Sequence, residues 1–225
     1  MKNIFDAKEI NKNINDDKTV LQTYMSLLNI EKNGFYIDIG ASFIHNLSNS
    51  AIEKSDFTVF CECDPTKHVH LVKQRGNIGV ITKKITPENI IGLLTKEINE
   101  SFIDRDPDLV DIDIDGYDYY VLEALLKEYK PTLIVAEINE KIPPPIKFTV
   151  KYHQDYWWDV SHFYGMSISK ASELFEKNGY EIINLTFNNV YAIKKQENKN
   201  FPVYTAEEAY DTFYKKAGWE EHFLV

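Results

Sequence analysis

Only two cysteines, Cys61 and Cys63, stand in 225 residues, one residue apart. That is too few for the disulfide frameworks that staple small secreted domains. Inside one strand, residues two apart point to the same face and cannot easily bridge. As buried thiols they fit a reducing compartment. Basic charge is equally scarce. Lys and Arg number 25 against 35 Asp and Glu, a net charge of −10, and no Lys/Arg run exceeds two. Nucleic acid and anionic membrane surfaces need a basic footprint, so neither is expected as a partner. No apolar run approaches the roughly 20 residues that span a bilayer, and no N-terminal signal peptide is read. The expectation is a soluble, cytoplasmic protein. P-loop and zinc spacings are missing, and no Ser-His-Asp or Cys-His arrangement stands out. No repeat or low-complexity tract occurs. Oligomeric state is left open.

Aromatic residues, by contrast, make up 13% of the chain. The length is enough for one domain over 1–225 with a full α/β core. An N-terminal helical arm covers 1–33; Val20, Leu21, Tyr24, Met25, Leu27 and Leu28 recur at amphipathic spacing. Strands are expected at 35–39, 57–62, 78–85, 109–114 and 132–138. Between them fall helices over 47–54, from Pro65 to Lys73, from Thr86-Pro87-Glu88 to Glu97, and from Tyr117 to Tyr129. A helix at 167–178 stops at Gly179. Strands at 180–187 and 190–193 make a hairpin turning at Asn188-Asn189. A C-terminal helix covers 205–217. Regular alternation of strand and helix predicts an open, mostly parallel sheet with helices on both faces.

Gly34 to Ser50 organises the rest. Phe35 to Ile39 is an apolar strand carrying Asp38, and Gly40 ends it. A strand, a glycine turn and a helix start make a nucleotide-cofactor site, because the backbone can approach the ligand and free N–H groups face it. An acidic strand tip suits a cationic ligand better than a pyrophosphate. That points to S-adenosylmethionine, with its amino group and sulfonium, rather than NAD. The next strand ends in Glu62 and Asp64, about where an acidic residue takes ribose hydroxyls in a βαβ unit.

Several motifs resemble one family. They are Tyr-Ile-Asp-Ile-Gly-Ala-Ser at 36–42, Leu-Ser-Asn-Ser at 47–50 and Asp-Ile-Asp-Ile-Asp-Gly-Tyr-Asp at 111–118. Ala-Glu-Ile-Asn at 136–139, Tyr-Gly-Met-Ser-Ile at 164–168 and Asn-Gly-Tyr at 178–180 complete the set. The chain resembles the FkbM-type S-adenosylmethionine-dependent methyltransferases over residues 34–195. The resemblance implies a Rossmann-like class I methyltransferase fold, a mostly parallel seven-stranded sheet with an antiparallel terminal hairpin strand. It implies O-methylation of a small hydroxylated or sugar-containing acceptor. Asp38, Gly40, Ala41 and Ser42 would hold the methionine end, with Ser48, Asn49 and Asp113 also on the cofactor side, and Glu62 the ribose. One departure stands out. Phe43 and Ile44 replace the Asp and second Gly of the family's loop, and a Cβ there restricts φ and crowds a ligand. This motivates a rival reading, a non-catalytic binding or scaffold protein on the same fold.

The acidic run at 111–118 carries the second set of candidates. Read as strand, it puts Asp111, Asp113 and Asp115 on one side. Such a density of carboxylates needs cations, hydrogen bonds or water. Asp113 and Asp115, joined by Glu137, would suit a divalent ion such as Mg2+ in a metal-dependent enzyme of another reaction type. Asp113 or Asp115 would equally serve as a general base. Asp115 or Asp118 would also cap the next helix. Glu137 and Asn139 close the fifth strand beside the run. Residues 139–163 then interrupt the alternation with Pro143-Pro144-Pro145 and a rich set of aromatics. An insertion this long after a central strand is read as a substrate wall or lid, or as a packed excursion. His162, within it, is the best acid/base histidine by context; His45 is a weaker candidate.

Overall fold

A computed structural model describes residues 17–30, 34–42, 57–67 and 78–214. Apolar runs bounded by small or polar residues become the strands. These are β1 (Phe35–Ile39), β2 (Phe57–Cys61), β3 (Ile78–Ile81), β4 (Leu109–Ile112), β5 (Leu133–Glu137), β6 (Tyr180–Thr186) and β7 (Asn189–Lys194). Along β1, β2, β4 and β5 every residue is buried, as a sheet covered on both sides requires. The seven strands lie in the order β3-β2-β1-β4-β5-β7-β6.

The chain forms two compact units. Lys18–Ile114 and Tyr120–Thr132 make the first. In it β1 pairs in parallel with β2 and β4, and β2 with β3. Helix α1 (Asp17–Leu27) buries Val20, Leu21, Tyr24 and Met25, the stripe its spacing predicts. Tyr36, fully buried in β1, donates its hydroxyl to the carbonyl of Ile30. Helix α2 is Ile90–Glu100.

Here two expected boundaries move. β3 ends at Ile81, not at residue 85, because Thr82 and Lys83 are exposed and have no core to face. Thr86 does not open α2. Asn89 accepts from the Thr86 N–H at 2.8 Å and donates to the Lys84 carbonyl at 2.9 Å, folding 84–89 into a turn. The side chain of Asn89 is spent on that turn, and the helix begins at Ile90 without a side-chain cap.

Asp115–Tyr119 and residues 133–214, with Asp17, make the described part of the second unit. β7 pairs antiparallel with both β5 and β6. Helix α3 (Asp118–Glu128) starts in this unit, and α4 (Ile168–Lys177) buries Ile168, Ala171, Leu174 and Phe175. Ser167 caps α4, and its hydroxyl also donates to the Ile146 carbonyl at 2.6 Å, tying the insertion to the helix start. Thr205 and Glu208 form a capping box for α5 (Ala206–Ala209), which continues as a π-helical turn over Tyr210–Tyr214. The β6–β7 turn is Phe187-Asn188, one residue earlier than expected, with Phe187 at φ +50° and Thr186 facing Asn189. Asn189 is a strand residue instead, its amide donating to Asp17 Oδ2 at 3.0 Å.

The insertion carries no helix or strand. It is pinned at its exit by an isolated bridge between Thr149 and Met166 and by the Val150 N–H to the Gly165 carbonyl at 3.1 Å. Among the described residues, no helix is long and apolar enough to cross a membrane.

Candidate functional site

The strand β1 delivers Asp38, 2% exposed, one residue before the strand ends. Its register partner on β4 is Asp111, also buried. Beyond the strand, the chain turns tightly. Gly40 adopts φ +94°, and a Cβ there would lie 1.7 Å from the Asp113 carbonyl oxygen. Only glycine fits such an approach. The N–H groups of Gly40 and Ala41 both reach the Cys61 carbonyl, at 2.9 and 3.2 Å. Ser42 follows at φ +50°.

Glu62 lies just past β2 rather than within it. Its Oε2 accepts the Ser42 N–H at 2.8 Å and its Oε1 the Asp64 N–H at 2.7 Å. This buried carboxylate thus ties the loop after β1 to the loop after β2. Asp64 in turn accepts from the Thr66 N–H and hydroxyl, and residues 65–67 are helical, as Pro65 predicts. Phe43, Ile44, His45, Ser48, Asn49 and the helix expected over 47–54 lie outside the described residues. Cys61 is buried, and burial pushes its thiol well up, with the carboxylates of Asp38, Glu97 and Glu62 adding to the shift. Cys63 is half-buried, its thiol raised by burial first and then by the carboxylates of Glu62 and Asp64.

The acidic run does not continue as strand. β4 ends at Ile112, and Asp113 caps the ladder through its N–H to the Ile39 carbonyl at 2.9 Å. Strict alternation therefore does not hold through Asp115. In the second unit Asp115 is exposed at φ +54°, a conformation Asp tolerates better than most residues but not freely. Asp118 takes the turn-forming role, its Oδ2 accepting the Gly116 N–H at 2.9 Å.

Glu137, 5% exposed at the end of β5, sits with a carboxylate oxygen within 4.8 Å of one from Asp115. Its Oε1 accepts the Asn188 amide at 2.7 Å. The Asn188 carbonyl accepts the Ile138 N–H at 2.7 Å, so one turn residue grips two successive residues of β5's end. The arrangement is a buried carboxylate held by a neutral donor beside an exposed one. Such a pair can take up a proton or face a hard cation.

Two other candidates take part in structural hydrogen bonds. Asn139 is fully buried; its amide donates to the carbonyls of His162 and Tyr164, and its Oδ1 accepts the Lys141 N–H. It stitches the two ends of the insertion together. His162 joins this stitch through its carbonyl while its side chain is exposed. Lys141 pairs with Glu140 at 3.4 Å, not with Glu137. Tyr164 donates to Glu140 Oε2, and Tyr210 donates to the Glu140 carbonyl at 2.8 Å. The insertion's outer side exposes Trp157, Val160 and Phe163. The sequence reading missed the Asn188 grip, whose one signal was an amide in a turn opposite β5, and the packing of Tyr117 against the insertion's tyrosines.

No family model matches the chain, and no curated protein matches it. Among solved structures it is similar to a candidate hemolysin from Lactococcus lactis, at 12% identity and a TM-score of 0.51, over 88% of this chain and 94% of that one. It is also similar to magnesium protoporphyrin IX methyltransferase (ChlM) from Synechocystis PCC 6803 with bound SAH. That match has 8% identity and a TM-score of 0.51, over 84% of this chain and 85% of the other. Likeness at such identities establishes the fold. The chain has the Rossmann-like methyltransferase fold, a mixed seven-stranded sheet with antiparallel end strands and accompanying helices.

Proposed function

We propose that the chain is an S-adenosylmethionine-dependent methyltransferase of the FkbM type that methylates a hydroxyl of a small or sugar-containing acceptor. The observation that carries the reading is Gly40. Its φ of +94° and its close approach to the Asp113 carbonyl, which no Cβ would allow, hold the tight turn after β1 where a nucleotide cofactor meets this kind of strand end. Beside it, buried Asp38 offers negative charge to a cationic amino-acid end. Glu62, already fixed by two N–H groups, keeps lone pairs for ribose hydroxyls. The sulfonium cofactor, when bound, supplies an electrophilic methyl group. The fold it shares with ChlM, whose structure contains SAH, supports the same choice of ligand. Asp38, Gly40, Ala41, Ser42, Ser48, Asn49, Glu62 and Asp113 form the cofactor side.

On the acceptor side, Asp115 and Glu137 are the groups for proton removal. Asp115 is accessible, and Glu137 beside it makes the pair reluctant to carry two charges. His162, whose side chain is exposed, stays an acid/base candidate in this proposal. A second reading uses the same spacing of Asp115 and Glu137 to hold a magnesium ion.

The test is calorimetric titration with S-adenosylhomocysteine, with and without magnesium. Binding that Asp38→Ala abolishes without unfolding the chain is the expected result. Wild-type protein that binds nothing at millimolar ligand would leave the scaffold reading in its place, since fold does not fix function.

A further inference from the structure

Tyr117 follows Asp115-Gly116 and is 3% exposed. Two tyrosines of the insertion pack on it at nearly right angles. Tyr152 lies 5.0 Å away between ring centroids at 77°, and Tyr156 lies 5.9 Å away at 78°. Both are only half-buried. His153 packs against Tyr156 at 5.6 Å and extends that wall. Tyr117 is the buried ring of this corner, and Tyr152 and Tyr156 are its partly exposed ones.

Three carboxylates act on the Tyr156 hydroxyl. Burial first, then Asp159, Asp118 and Asp115, raise the Tyr156 hydroxyl. Two of these carboxylates are held in place. Asp118 accepts the Gly116 N–H at 2.9 Å, and Asp159 accepts the Ser161 N–H at 3.0 Å. Aromatic faces carry negative potential, and the fixed carboxylates add to it.

We infer that the corner formed by Tyr117, Tyr152 and Tyr156, with Asp115, Asp118 and Asp159 around it, binds an organic cation of the alkylammonium class. Chemistry selects this class over others. A hard metal ion would forfeit oxygen ligands against ring faces. An anion would meet three carboxylates. A neutral apolar group would gain from the rings and nothing from the charges. A weakly hydrated ammonium gains from both. The fold makes the same kind of contact with its own lysines elsewhere in this unit, Lys170 over Tyr119 at 4.7 Å and Lys141 over Tyr164 at 5.4 Å. The corner shares Asp115 with the acceptor side proposed above, but its binding needs no methyl donor.

The test uses the full chain and two isosteric probes, choline and its uncharged analogue 3,3-dimethylbutan-1-ol, at constant ionic strength. Binding is followed by the tyrosine ring resonances and by the upfield shift of the probe's methyl signal. Choline should bind about tenfold tighter than the alcohol. Tyr156→Phe should keep the affinity within about twofold, since the ring remains, and Asp159→Asn should lower it about threefold. Tyr152→Leu should abolish it; if that variant fails to fold, the Phe and Asn variants still decide. Equal affinity for both probes would make the corner a plain apolar patch and overturn the inference. So would an absence of choline binding at tens of millimolar. Titration with S-adenosylhomocysteine on the same samples reports on the cofactor reading separately.

Discussion

Asn188 donates its side-chain amide to Glu137 Oε1 at 2.7 Å, so the turn between β6 and β7 fixes the carboxylate that ends β5. An amide is a neutral donor. It orients the carboxylate without supplying the positive charge that would quench its basicity. Asn188→Asp should therefore destabilise the protein by about 1–3 kcal/mol in urea unfolding, because it sets two carboxylates at hydrogen-bond distance. Glu137→Gln in the same chain should recover most of the loss. Strictly additive effects in that double-mutant cycle would show that the two side chains do not couple.

Gly40→Ala meets two obstacles at once. The φ of +94° is unfavourable for any L side chain, and the new Cβ would lie 1.7 Å from the Asp113 carbonyl. The variant should lose about 2 kcal/mol or more. It should also lose affinity for S-adenosylhomocysteine, measured by calorimetry below its melting temperature. Unchanged affinity would remove this loop from the cofactor site.

These two sites differ in how far the sequence announced them. β1 and its glycine turn were legible because everything that forms them is local, an apolar run stopped by Gly40. The same holds for α4, with Ser167 before it and Gly179 after it. The start of α2 was not legible, since Thr86-Pro87-Glu88 is a sound local signal and the side chain of Asn89 overrules it. Asn139 looked like a site residue because it closes β5, yet the carbonyls of His162 and Tyr164, more than twenty residues away, claim its amide. The partner of Glu137 was hidden for the same reason. Lys141 is near in sequence, but Asn188 is the residue that the β5–β7 register brings alongside.

Tyr164 predicts an alkaline limit. Burial first, and then its hydrogen bond to Glu140, hold its hydroxyl far above the usual tyrosine range. A folded-state pKa above the unfolded one favours the folded protein while both states keep the proton. That contribution is complete below about pH 10, where the unfolded tyrosine begins to ionise, and is lost as pH rises further. Thermal melts should fall more steeply above about pH 10 in wild type than in Tyr164→Phe. Parallel curves for the two proteins would contradict this.

The thiols predict slow chemistry. Burial and neighbouring carboxylates raise both, Cys61 more than Cys63. A raised pKa means less thiolate at any given pH, and thiolate is the reactive form. At about pH 8, iodoacetamide should label Cys63 more slowly than a free thiol and leave Cys61 unlabelled until the protein unfolds. Peptide mass spectrometry reads both sites, and rapid labelling of Cys61 in the native protein would be incompatible with its burial.

Asp115 separates the proton-transfer reading from the metal reading. Its φ of +54° is tolerated by Asn as well as by Asp, so Asp115→Asn removes the charge and leaves the backbone unstrained relative to wild type. In wild type the carboxylate lies within 4.8 Å of buried Glu137, and two like charges at that spacing repel. Without an ion between them, relieving the repulsion should stabilise Asp115→Asn by about 0.5 kcal/mol, the exposed partner being well screened. Magnesium should leave the wild-type melting temperature unchanged. Methyl transfer should nevertheless be lost, because the accessible base is gone. A magnesium ion held by the pair reverses each sign: magnesium would raise the wild-type melting temperature, and Asp115→Asn would forfeit that gain. If magnesium stabilises wild type but not the variant, the proton-transfer role assigned to Asp115 fails and the metal reading takes its place.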